Sequence, residues 1–544
     1  MKTLLIAGLV SLTTSTLLPA QSIDTLKGTL STSRTLEAGN CYVLDGCFRI
    51  LSGGSLTLPA GTVVRALPQA SLIVHQGGQI FANGTSASPV VFTYAQKTGA
   101  GTPIEWDGLY VAGRAVTNQA SPSINKTCPG TISYGGTNDA DNSGTLQYVR
   151  IEYAGVAPSG DPEVAALNLL AIGTGTTIDH VQVTSSRKDA YEVRGGKVTL
   201  RYLEALNNYR GDMQISQGYT GNIQFLTAVR LDGNAHDNTG VFSNGIYVFN
   251  DATGTAATPR THPVISNATF FGPKYCGASS IHSDFRAAVR LALNAEAEIY
   301  NSVFTGWNTG LQIVDNSTIS NANVNGTIRM EYNTFFANTA NFANSPANFD
   351  PTGTGCASTI TDWMDGSLPC SQADNLVRTS LTGYSSTVCG NYCSTAPTMT
   401  LSGTNNVGAA DYTWDAGSDF THETYRGSLT AANWSASWSN WCPQSASYCS
   451  LAMRKAGAPG SLLFIPNPAS AQTDVVFDTD VLGTAVVTLQ DKVTGAVLRT
   501  AKAKIQAAGV QRIPLQCTGL REGVYPVKVR LSNGQVLGGQ LIIR

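Results

Sequence analysis

The sequence predicts an all-β chain: a right-handed parallel β-helix, a disulfide-stapled loop-rich extension, and a small C-terminal β-sandwich. Three observations support this. Short runs that alternate apolar and polar residues recur between residues 50 and 340 at irregular intervals of roughly twenty to thirty-five residues. No long helical period separates them, which argues against βαβ units. Late in the same region an Asn-led tetrapeptide repeats as Asn267-Ala268-Thr269-Phe270, Asn301-Ser302-Val303-Phe304 and Asn333-Thr334-Phe335-Phe336, at spacings of 34 and 32 residues.

In chain order, Met1-Lys2 is followed by an apolar run from Leu4 to Val10, a Ser/Thr-rich stretch and the small-residue site Leu18-Pro19-Ala20. That pattern predicts a secretory signal peptide over residues 1–20, with Gln21 as the mature start. No later window has enough consecutive apolar residues for a membrane-spanning helix. Residues 21–345 are expected to form the β-helix, with strands such as Ser55–Leu58, Leu72–Val74, Val90–Thr93, Leu146–Ile151, Ile178–Val183, Val198–Leu203 and Asn222–Phe225. In a solenoid, equivalent residues of successive coils lie about 4.8 Å apart. Asn at a coil corner then bonds along the stack while Phe stacks inside. A β-sandwich is the alternative for this region, but it calls for hairpin turns every eight to twelve residues, and these runs are mostly farther apart.

Residues 346–455 read as an extension closing the C-terminal end of the solenoid. In an exported chain the eleven cysteines are read first as disulfides. Local spacing suggests Cys41–Cys47, Cys356–Cys370, Cys389–Cys393 and Cys442–Cys449, with Cys128, Cys276 and Cys517 unassigned and at least one thiol left over. Cys389 and Cys393 lack the second close Cys/His pair that a zinc site needs. Residues 456–463 are linker-like. Residues 464–544 then alternate as half-buried strands, with turns at Asp491–Gly495 and Ser532–Gly534.

Charged residues make up only 13% of the chain, about half the usual share, and the formal net charge is −2. With no basic run, nucleic acid and anionic membranes are excluded as expected partners. The 42% hydrophobic content, in short alternating runs, separates this Gly/Ser/Thr/Asn-rich chain from a disordered one.

Several blocks resemble known families. Phe464-Ile465-Pro466-Asn467-Pro468-Ala469, Gly523-Val524-Tyr525 and the closing Leu541-Ile542-Ile543-Arg544 resemble the C-terminal sorting domain of the type IX secretion system of Bacteroidetes. Tyr134–Gly155, Gly173–Val183 and Thr424-Tyr425-Arg426-Gly427 leading into Trp434, Trp438 and Trp441 resemble a family of exported Bacteroidetes proteins with a pectin-lyase-type β-helix. The resemblance implies fold, export and a secreted or outer-membrane-surface location. It implies type IX machinery as a partner, recognising Pro466, Asn467, Pro468, Gly523 and Tyr525, and it implies no particular substrate. Carboxylate positions of the family are matched here only by Asp189, Glu192 and Asp212, amid Arg187, Lys188, Arg194 and Arg210.

The catalytic candidates are therefore Asp189, Glu192 and Asp212, with Arg210 or a neighbouring base, on one β-helix face. A lyase needs a cation and a base for the proton α to a uronate carboxylate, and a glycosidase needs two flanking carboxylates. Salt-bridged coil edges are the competing reading. Asp139-Ala140-Asp141-Asn142-Ser143-Gly144 loosely resembles a calcium loop but lacks the distal Glu, so an Asx turn competes with calcium there. Trp434, Trp438 and Trp441 are candidates for stacking on sugars, against a role in capping the solenoid end. The six histidines show no ligand spacing, and no serine-hydrolase elbow or phosphate loop is present. Three classes remain: a non-catalytic surface protein binding extracellular glycan or matrix, a polysaccharide lyase or glycoside hydrolase, and a structural scaffold. The few matching carboxylates and the missing nucleophile favour the first and third.

Overall fold

The structure is a computed structural model. It describes residues 24–543 apart from 96–104, 129, 163–164, 231–232, 234–235, 237–241, 277–280, 379–383, 387–398, 402–409, 416–418, 430–433, 447, 449–461, 466–468, 480, 493 and 507–508. The expected signal peptide, Cys389, Cys393, Cys449, Pro466, Asn467, Pro468 and most of the linker lie outside the described residues. The chain divides into two compact units between Ser450 and Leu451.

The larger unit is a parallel β-helix in which each coil has three arms. Strands Gly144–Glu152, Thr177–Thr184, Leu200–Leu206, Asn222–Val229 and Val264–Phe271 stack in register and supply two arms each. Each bends midway at a left-handed residue: Tyr148, His180, Tyr202, Phe225 and Asn267, with φ of 49°, 54°, 56°, 60° and 53°. In the next two coils the bend splits the strand, around Asn301 and Tyr332. The third arm is the stack Gly108–Ala112, Leu167–Leu170, Tyr191–Arg194, Met213–Ser216, Ile246–Phe249, Ala287–Ala292, Thr309–Val314 and Ala340–Ser345.

Alternation dictates what is inside. Ile178, Leu200, Ile223, Ile265, Ile299 and Met330 form one buried column in the first arm. Leu169, Val193, Ile215, Val248, Leu291 and Ile313 form another in the third. Rings of Phe270, Phe304 and Phe335 stack at 5.9 and 5.2 Å.

This stack corrects the expected repeat in one detail. Phe335, not Phe336, lies over Phe304, because the left-handed corner of that coil is Tyr332 and Asn333 follows it. Asn333 still ties coils together, donating from Nδ2 to Ile299 O at 2.8 Å and accepting from Ser302 N at 3.0 Å. Asn267 accepts from Gln224 Nε2 at 3.2 Å and Asn301 donates to Ser266 Oγ at 3.4 Å, each on the preceding coil, and both also face the C-terminal extension.

The stack also runs past residue 345. Leu376–Arg378 pairs beneath Thr334–Phe336. Phe349, Ile360, Trp363 and Met364 join the main core and close it at this end. Cys356–Cys370 staples that closure. The Cys41–Cys47 expectation changes. Cys47 pairs with Cys128, not Cys41. Cys41 and Cys47 lie on either side of a left-handed bend at Gly46, on arms of the strand Cys41–Ile50 that pair with different neighbouring strands. The Cα of Cys47 instead lies 6.0 Å from that of Cys128, within the separation a disulfide allows. Cys41, Cys276 and Cys442 are also disulfide-bonded. Among the described residues the free thiol is Cys517, buried in the C-terminal unit.

The described residues between 410 and 448 form a strap lying along the corner of the helix rather than over its end. It descends against the direction of coil growth. Asn301 exchanges two 3.0 Å bonds with the backbone of Asp411. Gln224 does the same with Thr421, at 2.7 and 2.9 Å. Asn267 Nδ2 donates to Tyr425 O at 3.0 Å, and Asn440 N donates to Gln182 Oε1 at 2.8 Å. A carboxamide carries both a donor and an acceptor, so it satisfies irregular backbone as a neighbouring strand does.

The smaller unit is a β-sandwich. One sheet contains Leu463–Ile465, Gln472–Thr479 and Gly509–Gln516; the other contains Val497–Ile505, Gly483–Gln490, Gly523–Arg530 and Val536–Ile543, all antiparallel. Phe464, Val475, Phe477, Ile513 and Leu515 of the first meet Val487, Leu489, Val527, Val529 and Leu541 of the second in one core. Within it, Gly523 opens the strand that carries Tyr525.

Candidate functional site

On the third arm, the residues between the core positions point outward and stack in register: Tyr110, Asn168, Glu192, Gln214, Tyr247, Arg290 and Gln312. A hairpin of Ser123–Lys126 and Gly130–Ser133 covers the early part of this face, packing Ile124, Ile132 and Tyr134 on Tyr110, Ala112 and Leu170. Beneath it Lys126 is buried with Asp107 at 2.8 Å and the Tyr110 hydroxyl at 2.9 Å. Beyond the hairpin the column is partly open. Arg194 lines a shallow cleft with Asn125, Asp161 and Pro162. Farther along, Arg286 lies 3.9 Å from the Phe242 ring, Arg290 lies 5.9 Å from the Tyr247 ring, and Phe242 is 44% exposed.

The three candidate carboxylates sit where this arm begins, brought together by successive coils. Arg194 aligns with Ser216, so the turns Gly195-Gly196 and Gln217-Gly218 are equivalent. Gly196 has φ +82°, and a Cβ there would meet Ile172 O at 2.3 Å, so this position requires glycine.

Each carboxylate is taken by an arginine. Arg210 donates to Asp189 Oδ2 from Nε at 3.0 Å and Nη2 at 2.6 Å, and Gly211 N donates to Oδ1 at 2.7 Å. Arg194 Nε donates to Glu192 Oε1 at 2.7 Å, joined by Gln214 at 2.9 Å. Arg230 Nη2 donates to Asp212 Oδ1 at 3.0 Å and to Arg210 O, and its Nη1 donates to Asn208 O. The Arg230 guanidinium lies over Phe285 and Trp307. Burial pushes the Asp212 pKa up, to about 6, against the opposing pull of Arg230. Asp189 and Asp212 are thus held by arginines 21 and 18 residues later, about one coil on, whereas Glu192 is held by Arg194 of its own strand. Such pairs neutralise buried charge and fix the corner. Of the other basic residues, Arg187 lies over the Tyr209 ring, Lys188 is buried, and Arg201 donates to Asp419 O of the strap at 2.6 Å.

Asp139 accepts from Val116 N at 3.0 Å and pairs with Lys197 at 3.0 Å, while Asp141 accepts from Ser143 Oγ at 3.2 Å. These are turn-fixing roles. Among the described residues the two aspartates join no third His, Cys, Asp or Glu in a converging group.

The tryptophans neither cap the end nor offer a ring platform. Tyr148, His180, Tyr202 and Phe225 stack at 4.2, 4.4 and 4.7 Å along the left-handed corner. Trp434 and Trp438 pack edge-on over this column. Trp438 is fully buried, and Trp441 joins Leu429 on Leu206, Val229 and Phe271. Trp438 and Trp441 are thus buried against the chain itself, and Trp434 is half-buried.

Two groupings escaped sequence reasoning. Glu152 and Glu204 are fully buried where the strap meets the second arm. Burial pushes each pKa up to about 7, opposed by hydrogen bonds from Tyr448 and Asn440 to Glu152, and from Ser435, Ser439 and Gln182 to Glu204, with Arg150 close to both. His236, His282 and Asp284 also converge on neighbouring coils. Their separation of 46 residues is close to the 42 separating the bridged residues Ser243 and Phe285, a coil period the sequence shows only once the strands are aligned.

The family model described as a pectate-lyase-like β-helix domain matches residues 28–367. No curated protein matches the chain. Among solved structures, the chain is similar at 9% identity to the enzymatically active domain of bacteriophage CBA120 tailspike protein 2, over 93% of this chain and 72% of that one, with a TM-score of 0.21. It is similar, also at 9% identity, to the full-length tailspike protein 2 from an Escherichia coli O157:H7 bacteriophage, over 93% of this chain and 64% of that one, with a TM-score of 0.20. Overlap this low leaves the chemistry of those proteins with them.

Proposed function

Because this chain belongs to the pectate-lyase-like β-helix domain family, we propose that it is an exported surface protein that binds glycan or matrix, or builds the cell envelope, without catalysing a reaction. One observation carries this reading: Asp189, Glu192 and Asp212 are each engaged by an arginine and buried. The face beyond them, with Phe242, Tyr247, Arg286, Arg290 and Gln312, combines rings and hydrogen-bonding groups suited to sugars. Export through the periplasm by a signal peptide and then by type IX secretion belongs to the same proposal, supported by the N-terminal pattern and by the Gly523 and Tyr525 block of the sandwich.

A polysaccharide lyase or glycoside hydrolase is the second reading, favoured by Arg194 standing beside Glu192 at the cleft. Incubation with acidic and neutral polysaccharides separates the two. The proposal expects retention of a polysaccharide with no unsaturated or reducing ends released. Product formation that Asp189→Ala, Glu192→Ala or Asp212→Ala abolishes in a folded protein would overturn it.

A further inference from the structure

We propose that His236, His282 and Asp284 bind one divalent transition-metal ion of the zinc class. His236 lies in the turn between Asn222–Val229 and Ile246–Phe249, and His282 and Asp284 lie in the equivalent turn one coil later. Backbone bonds hold the two turns in register. Ser243 N donates to Asp284 O at 2.9 Å, Arg286 N to Ser243 O at 2.9 Å, and His282 N to Gly233 O at 2.8 Å. The imidazoles therefore stack at 4.5 Å with planes 2° apart.

Both rings turn Nδ1 toward one carboxylate oxygen. Asp284 Oδ2 lies 3.8 Å from His236 Nδ1 and 3.7 Å from His282 Nδ1. These separations are too long for hydrogen bonds. In a tetrahedral site with bonds of about 2.0–2.1 Å, ligand atoms stand about 3.4 Å apart, so each carboxylate–imidazole gap closes by a few tenths of an ångström, while the two stacked rings, their ligand atoms within 4.8 Å, must turn out of parallel to share the ion. Ser243 Oγ, 2.6 Å from His236 Nε2, orients that ring from its far side, as the outer partner of a metal-bound histidine does. His282 Nδ1 also accepts the Asp284 N–H at 3.2 Å, the contact the ion displaces.

Two imidazoles and one carboxylate select zinc, nickel or copper over calcium, which takes six to eight oxygens. Three protein ligands leave a fourth position for water or a ligand oxygen. The site sits at the margin of the third-arm face, since Phe285 and Arg286 follow Asp284 directly and Arg286 lies over Phe242.

The test uses tag-free full-length chain, stripped with chelator and titrated calorimetrically with Zn2+. The expected result is one ion per chain with micromolar or tighter affinity, weakened at least about tenfold in His282→Ala and in Asp284→Asn. His422→Ala, at an exposed histidine elsewhere, leaves affinity unchanged. His236 is buried, so the two partly exposed ligands carry the test, with thermal melts confirming that each variant is folded. Absence of binding, affinity unchanged in both variants, or displacement of zinc by equimolar Ca2+ would overturn the assignment.

Discussion

The Glu152→Gln/Glu204→Gln double variant is expected to hold its strap more tightly than the parent at pH 8 and about equally at pH 4. Both carboxyls lie between the strap and the second arm. Glu152 meets Thr93 from the preceding coil, Arg150 on its own strand, and Asn440 and Tyr448 from the strap. Glu204 meets Gln182 from the preceding coil, Ser435 and Ser439 from the strap, and Arg150. Arg150 also donates to Trp438 O at 2.5 Å, so one cation serves both acids and the strap backbone. Burial in the docked state raises each pKa from an ordinary carboxyl's 4.5 to about 7. A raised pKa means that the docked state holds its proton while the released state loses it. Stability is therefore complete below pH 4.5, falls as pH climbs from 4.5 to 7, and is flat above. The loss is about 3 kcal/mol per carboxyl, and the shared Arg150 keeps the total below the simple sum. Glutamine copies the protonated acid and does not titrate. Hydrogen exchange of residues 434–446, compared between parent and variant at each pH, reads the opening constant directly. About 3 kcal/mol corresponds to about two decades in that constant. Identical opening constants for parent and variant at both pH 5 and pH 8 would refute the reasoning.

Asp212→Asn is expected to lower stability by about 3–5 kcal/mol at neutral pH, because Arg230 stays buried without its counter-charge; thermal melts followed by circular dichroism check this. Deleting residues 464–544 is expected to strand the chain in the periplasm, and cell fractionation that finds it at the surface without them would sink the sorting proposal.

What could be read from the sequence was whatever repeats locally. Alternation in runs such as Ile178–Val183 reports directly which side chains face the core, since a strand has period two. The corner was half legible. Asn267 and Asn301 stood out because an Asn-led motif repeats there, and asparagine also tolerates the left-handed conformation that the corner takes. Tyr148, Tyr202 and Phe225 occupy the same corner with side chains that rarely adopt it, so nothing in their identity marked them. The off-by-one at Asn333 has the same origin: the sequence motif follows asparagine, whereas the backbone corner is Tyr332. The carboxylates were found, but their arginine partners lie 2, 18 and 21 residues away, and only the coil period brings Asp189 to Arg210 and Asp212 to Arg230. The strap was illegible because its contacts reach from Trp438 to Arg150, 288 residues back, with no periodic pattern in the strap itself.

Coils in a solenoid ordinarily touch only their neighbours, so whole turns can be gained or lost without harm. Here one segment reads off positions along the column, meeting Asn301, Asn267, Gln224, Gln182 and Arg150 in turn. It acts as a ruler. A duplicated or excised turn between Arg150 and Asn301 shifts every later mark by one rung, about 4.8 Å. The number of turns in this stretch is thereby specified by a piece of chain that belongs to none of them.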